Sequence, residues 1–248
     1  MKIKNGIYNN KIDSTGFYTG LVLSRFDLEF IKSLIRKKII LKIKKNYPNL
    51  KKELKNFNIS EYHHLSKYIN HQKLWPKSER LLSESSVKKI KKLNFFSTLQ
   101  KYFGKIIISN EESIRKEEMY WRIVRPNTDS DVGPLHADKW FWDLNPWKAP
   151  KNSYRLKIWI PIVNESKKCG LVYLPMSHKK NIKYKFLKIN GKKKPIEPKI
   201  SDKVKLKSFN VKPGNAVIFH DNLLHGGEIG KSKTRVSIEF TMYIKKAN

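Results

Sequence analysis

The chain has 248 residues, 53 of them Lys or Arg against 21 Asp or Glu, for a formal net charge of +32. That length buries a substantial core and suits a single domain, 1–248. No run of about 18 apolar residues offers a membrane span, and the one cysteine, Cys169, excludes an internal disulfide and fits a reducing cytoplasm.

The start, Met1-Lys2-Ile3-Lys4, is polar and carries no secretory apolar stretch. Residues 1–104 read mostly as helix. A run from Phe26 to about Lys45 has Asp27 as its expected N-cap, apolar residues at Phe30, Leu34 and Ile35, and lysines at its end that suit the helix dipole. Ser60 is expected to cap a second helix through Tyr68, Ser85 or Ser86 to open a third, and Phe95–Phe103 to form a fourth that Gly104 stops.

From residue 105 the texture changes to strands: Lys105 to Ser109, Met119 to Val124, Arg155 to Val163, Leu171 to Leu174, Ala216 to Phe219 and Thr234 to Ile244. Gly133-Pro134, Pro146, Pro150, Pro213-Gly214 and Gly226-Gly227 punctuate them. Many strands with turn signals and no interleaved helices predict a sandwich or jelly roll over 105–248. The lysine-rich stretch 179–205 reads as an exposed insertion or a lid, and Cys169 as a packing residue.

The net charge invites a nucleic-acid reading, but 45 of the basic residues are Lys and only 8 are Arg. Lys runs along the whole chain beside abundant Ile and Asn, as AT-rich coding would give. Arg, the residue expected at phosphate forks and base edges, is scarce. The expectation is a solvated surface that steers anionic small molecules, with no specific nucleic-acid partner and no membrane partner.

His136-Ala137-Asp138, a distant His225, and Arg235 ten positions later carry the chemistry. On a strand, His136 and Asp138 would share one face. With His225 they would complete a 2-His-1-carboxylate set, which holds Fe(II) and leaves coordination positions open. His220 is the rival second histidine. His225 is preferred for the two glycines after it and for its spacing to Arg235. Thr234 to Met242 alternates, placing Arg235, Ser237, Glu239 and Thr241 on one face. Arg235 offers a planar fork for a carboxylate, and Ser237 a hydroxyl beside it.

These motifs, with Leu156 to Ile162, the segment Cys169-Gly170-Leu171-Val172-Tyr173-Leu174-Pro175-Met176-Ser177-His178-Lys179 and the Pro213-Gly214 strand, occur in an order that resembles the phytanoyl-CoA dioxygenase-like family of Fe(II)/2-oxoglutarate oxygenases. The resemblance covers about 117–245. It departs at Cys169, where Asn is usual, and at Met176, where Gly is usual. It implies a double-stranded β-helix (jelly roll, cupin-like) with an N-terminal helical region. It implies iron held by His136, Asp138 and His225, and 2-oxoglutarate paired with Arg235. His178 then belongs to a structural turn. Trp159 would line the co-substrate pocket, and Arg122 either reaches a carboxylate or lies on the surface. Dioxygen and a small-molecule substrate are the implied partners. A carboxylate at 138 implies hydroxylation, since related halogenases leave that position empty for chloride.

Trp140-Phe141-Trp142 and Trp147, with Lys139 and Lys148, form either a substrate wall for a ring-bearing, sugar-like or anionic molecule, or core packing. His63, His64 and His71 have no acidic or Cys partners at matching spacing and read as ordinary histidines. Rival functions are a non-catalytic jelly-roll binding protein, a basic nucleic-acid-binding protein, and a nucleic-acid demethylase of the same superfamily. Against the last, Thr241 stands where those enzymes carry a second Arg.

Overall fold

The computed structural model describes residues 11–109, 116–144, 149–164, 170–189, 191–196 and 205–245. The expectations for Cys169, Trp147, Lys148 and the chain start lie outside these residues. The helices are α1 (Asp13–Thr15), α2 (Arg25–Asn46), α3 (Tyr62–Leu65), α4 (His71–Leu74), α5 (Glu84–Ile90), α6 (Asn94–Phe103) and α7 (Asp138–Leu144). The strands are β1 (Phe17–Val22), β2 (Ile106–Ile108), β3 (Tyr120–Val124), β4 (Ser153–Val163), β5 (Leu171–Tyr173), β6 (Phe186–Ile189), β7 (Lys192–Pro195), β8 (Lys207–Ser208), β9 (Asn215–His220), β10 (His225–Gly227) and β11 (Arg235–Lys245).

A six-stranded antiparallel sheet runs β1-β9-β4-β11-β2, with β3 also paired to β11. A smaller sheet, β10-β5-β8, faces it, and β6-β7 is a separate hairpin. Trp159, Val217 and Phe219 of the large sheet pack against Leu171, Phe209 and Leu223 of the smaller side. This is the jelly-roll core that the resemblance implied.

The large sheet's other face carries Leu156, Ile158, Ile160, Ile238, Phe240 and Met242, in one core with the helices. Helix α2 contributes Ile31, Ile35, Ile39 and Ile43, an i, i+4 stripe that is fully buried. Burying each such side chain stabilises by roughly 1.5–3 kcal/mol. Phe30 and Leu34 flank that stripe and are only partly buried.

Three caps differ from expectation. Ser24, not Asp27, caps α2, accepting from the Asp27 amide, while Asp27 turns inward and accepts from the Phe95 amide. Asn58, rather than Ser60, caps the turn that leads into α3. Ser83 caps α5, ahead of Ser85 and Ser86. Gly104, at φ 74, ends α6 as expected. Among the described residues no helix is long and apolar enough to cross a membrane.

Candidate functional site

His136 does not sit on a regular strand with Asp138. It forms a single antiparallel bridge to His225, with reciprocal amide–carbonyl hydrogen bonds of 2.9 Å. The chain then turns, and Asp138 is the first residue of α7. The histidine bridge sets the spacing that a strand was expected to provide. One ligand atom from each of His136, Asp138 and His225 lies within 4.8 Å of the others, and His136 Nε2 is 3.7 Å from Asp138 Oδ1.

Both imidazoles are oriented from behind. His136 Nδ1 lies 2.7 Å from the Pro134 carbonyl and His225 Nδ1 2.9 Å from the Leu223 carbonyl. A ring donating Nδ1–H to a carbonyl keeps Nε2 as a lone pair for a metal. Phe219 and Phe141 pack edge-on against His225 and His136, at 4.6 and 5.4 Å between centroids.

The glycines after His225 have a local purpose. A Cβ on Gly227 would come within 2.6 Å of Val132 Cβ, and one on Gly226 within 3.3 Å of the Leu135 side chain. They admit the segment that delivers His136. His220 stays outside the cluster: its Nδ1 accepts from the Asn222 amide and lies 3.0 Å from Asp221 Oδ1. His178 holds a turn, with Nε2 3.1 Å from the Asp13 carbonyl and its own carbonyl accepting from Asn222.

The register of the large sheet gathers the residues expected to bind the co-substrate. Ser237 lies opposite Arg122, and Glu239 opposite Trp159. Directly opposed residues share a face, so Arg122, Trp159, Arg235, Ser237 and Glu239 all point inward. Arg235 is fully buried, donates to the carbonyls of Gly170 and Glu228, and lies 5.8 Å over the Trp159 ring. Arg122 is on the site's face, not the outer surface, and pairs with Glu239 at 3.5 Å.

Burial and neighbouring charge set the protonation states. Burial, then His136 and Lys157, push the His225 imidazole down to about 4, so it is neutral and ready to ligate at neutral pH. Burial alone would raise Asp138, but Lys157 and both histidines outweigh it and hold the carboxyl below its ordinary range. Glu239 behaves alike: burial opposes, and Arg122 and Lys157 prevail, taking it down to about 2.

Sequence reasoning missed two cations here. Lys157 is the one charged residue within the buried run of β4, opposite Thr241, and a lysine inside Leu156 to Ile162 was a readable signal. Arg80 sits on a short 3-10 turn, with no periodic signal, and borders a cavity of about 100 Å³ with Arg122, Gln72, Ser130 and Asp131. Asp138 Oδ2, Ser237 Oγ and Arg80 Nε are buried without a hydrogen-bond partner among the described residues. Such groups are costly unless a ligand satisfies them. An anionic donor set against a divalent ion, and a hydroxyl and guanidinium against a carboxylate, fit Fe(II) and 2-oxoglutarate.

The aromatic segment after Asp138 divides. Trp140 is core and stacks on Tyr184 at 4.7 Å, Trp142 carries the Arg155 guanidinium at 4.3 Å, and Phe141 is 39% exposed beside His136. His63 bonds Thr234, and His71 is buried between Tyr62 and Asp131.

The protein-family model for phytanoyl-CoA dioxygenase (PhyH) matches residues 56–235, reaching well into the helical part where no resemblance was expected. No curated protein matches in sequence. Among solved structures, AviO1 from Streptomyces viridochromogenes Tue57 is 12% identical, over 100% of this chain and 97% of that one, at TM-score 0.52. EctD from S. alaskensis, solved with 2-oxoglutarate and 5-hydroxyectoine, is 12% identical over 94% and 73%, at 0.52. EvdO2 from Micromonospora carbonacea var. aurantiaca is 14% identical at 0.48, and the match spans 66% of each chain, just under two thirds. The AviO1 and EctD likenesses show the fold.

Proposed function

The chain belongs to the phytanoyl-CoA dioxygenase family of Fe(II)/2-oxoglutarate-dependent oxygenases, and from that premise we propose that it hydroxylates an unactivated C–H of a small, anionic or sugar-like metabolite. The observation that carries the reading is the convergence of His136, Asp138 and His225 within 4.8 Å, on the side of the jelly roll that Arg235 and Ser237 face.

In this reading His136, Asp138 and His225 hold Fe(II). Bound iron, with 2-oxoglutarate and dioxygen, supplies the oxidising chemistry, in which 2-oxoglutarate becomes succinate and CO2 and one oxygen atom enters the substrate. The chain's own residues bind and orient. Arg235 receives the distal carboxylate of 2-oxoglutarate, Ser237 Oγ donates to it, and Trp159 walls the pocket. Arg122 and Arg80 add positive charge on the same side. The Pro134 and Leu223 carbonyls keep both imidazoles in the ligating tautomer. Phe141 and the buried aromatics limit water beside the metal. The carboxylate at Asp138 favours hydroxylation, and the single cysteine a reducing, cytoplasmic setting.

The test is iron-dependent conversion of 2-oxoglutarate to succinate across a panel of anionic and sugar-like metabolites. Stimulation by one class, lost in Asp138→Ala, supports the proposal. A folded, iron-loaded protein that turns over no 2-oxoglutarate with any substrate contradicts it and favours a binding protein.

A further inference from the structure

We propose that the β6–β7 hairpin is a peripheral docking surface for an anionic phospholipid bilayer, set beside the iron site. Eight of the sixteen residues from Lys179 to Lys194 are lysine and none is acidic. This is the stretch expected to be an insertion or lid, and its hairpin is long enough to show how the charge is arranged.

Lys188 lies directly opposite Lys193, and Leu187 opposite Lys194. Like charges facing each other across strands oppose pairing, and an external anion relieves that repulsion. Phe186 and Leu187 are 47% and 56% exposed, with the Lys193 ammonium 5.2 Å over the Phe186 ring. Neighbouring strand residues point to opposite faces, so each face of the hairpin presents an apolar side chain among lysines. This arrangement suits the headgroup boundary, where the apolar groups enter and the ammonium groups reach lipid phosphates.

One feature favours a bilayer over an acidic protein: a flat protein partner would be met by one face, whereas both faces of this hairpin carry the same mixture of apolar and lysine side chains and suit entry edge-first.

The hairpin is tied to the site. Tyr184, just before β6, stacks on Trp140, and β7 packs against α7, whose first residue is Asp138. Docking there brings the exposed Phe141 and the iron site next to the lipid phase. If the oxygenase reading holds, the substrate class becomes an amphiphile taken from the bilayer; that consequence rests on the proposed function, while the docking itself does not. The expectation of no membrane partner is then replaced by peripheral contact.

The test is cosedimentation with phosphatidylcholine vesicles, with and without phosphatidylglycerol. It compares wild type with Lys188→Glu/Lys193→Glu, with Phe186→Ser/Leu187→Ser, and with Lys37→Glu/Lys44→Glu on the exposed side of α2. We expect binding only to the anionic vesicles, at least roughly tenfold weaker in the hairpin charge variant, weakened in the apolar variant and nearly unchanged in the α2 variant. Equal loss in both charge variants, indifference to the apolar variant, or no binding by wild type overturns the proposal. So does retention on soluble polyglutamate without vesicle binding, which assigns the hairpin to an acidic protein. The assay needs neither iron nor turnover, so its failure and that of the oxygenase reading are separable.

Discussion

Along β4 and β11, alternate residues of the same strands build two unlike surfaces. Leu156, Ile158 and Ile160, with Ile238, Phe240 and Met242, face the helices and pack against Ile31, Ile35, Ile39 and Ile43. Lys157 and Trp159, with Arg235, Ser237 and Glu239, face the opposite way. The outer face buries its apolar side chains in one core with the helices. The inner face keeps buried charges and hydroxyls, and Ser237 Oγ there has no hydrogen-bond partner among the described residues, a cost that a ligand offsets. The difference separates folding from chemistry within one sheet, and a one-residue register slip would exchange them.

The sharpest way to break this separation is to remove an inner ligand. Asp138→Ala should abolish 2-oxoglutarate turnover and iron retention while the thermal midpoint of the metal-free protein barely falls. Calorimetry and metal analysis check both. On the outer face, Ile35→Ala should cost roughly 2–5 kcal/mol in urea unfolding, with no change in 2-oxoglutarate affinity of the folded protein. A large affinity change there would dissolve the distinction.

Arg235→Ala should weaken 2-oxoglutarate binding by about 1.5–3 kcal/mol, the range for a hydrogen bond to a charged group. Lys at that position should recover part of it, having charge without the fork. Titration calorimetry measures the loss.

Acid sharpens the comparison across regions. His71, among the helices, and His225, in the site, are both held down to about 4, mainly by burial. An unfolded histidine titrates near 6.5, so between those values the unfolded chain binds protons that the metal-free folded chain refuses. Stability is therefore present above about pH 6.5 and falls with pH toward about 4, by about 1.4 kcal/mol per unit for each group. Urea midpoints against pH should show the slope, shallower in His71→Gln. The smallest effect is at Met176, which sits at φ 59, a left-handed conformation that Gly adopts without strain. Met176→Gly should stabilise by about 1 kcal/mol, since a left-handed backbone strains residues with a Cβ.

Much of this was readable because period-two patterns and spacing are local. Thr234 to Met242 announced both faces of β11, and His136, Asp138 and His225 announced the cluster. What escaped depends on distant partners. β1 forms only against β9, Phe17 opposite Phe219. Asp138 leaves the strand because the His136–His225 bridge ends there and α7 begins. Ser24 displaces Asp27 as a cap because Asp27 is drawn to the Phe95 amide. Arg80 reaches the site's edge from a turn with no periodicity at all.

The central claim is that the inner face holds iron and 2-oxoglutarate together. Its most direct test is anaerobic addition of Fe(II) and 2-oxoglutarate, followed by visible absorbance, for wild type, His225→Ala and Arg235→Ala. The account predicts a weak metal-to-ligand charge-transfer band in wild type, absent in the first variant and weakened in the second. A folded, iron-loaded wild type without that band would contradict it.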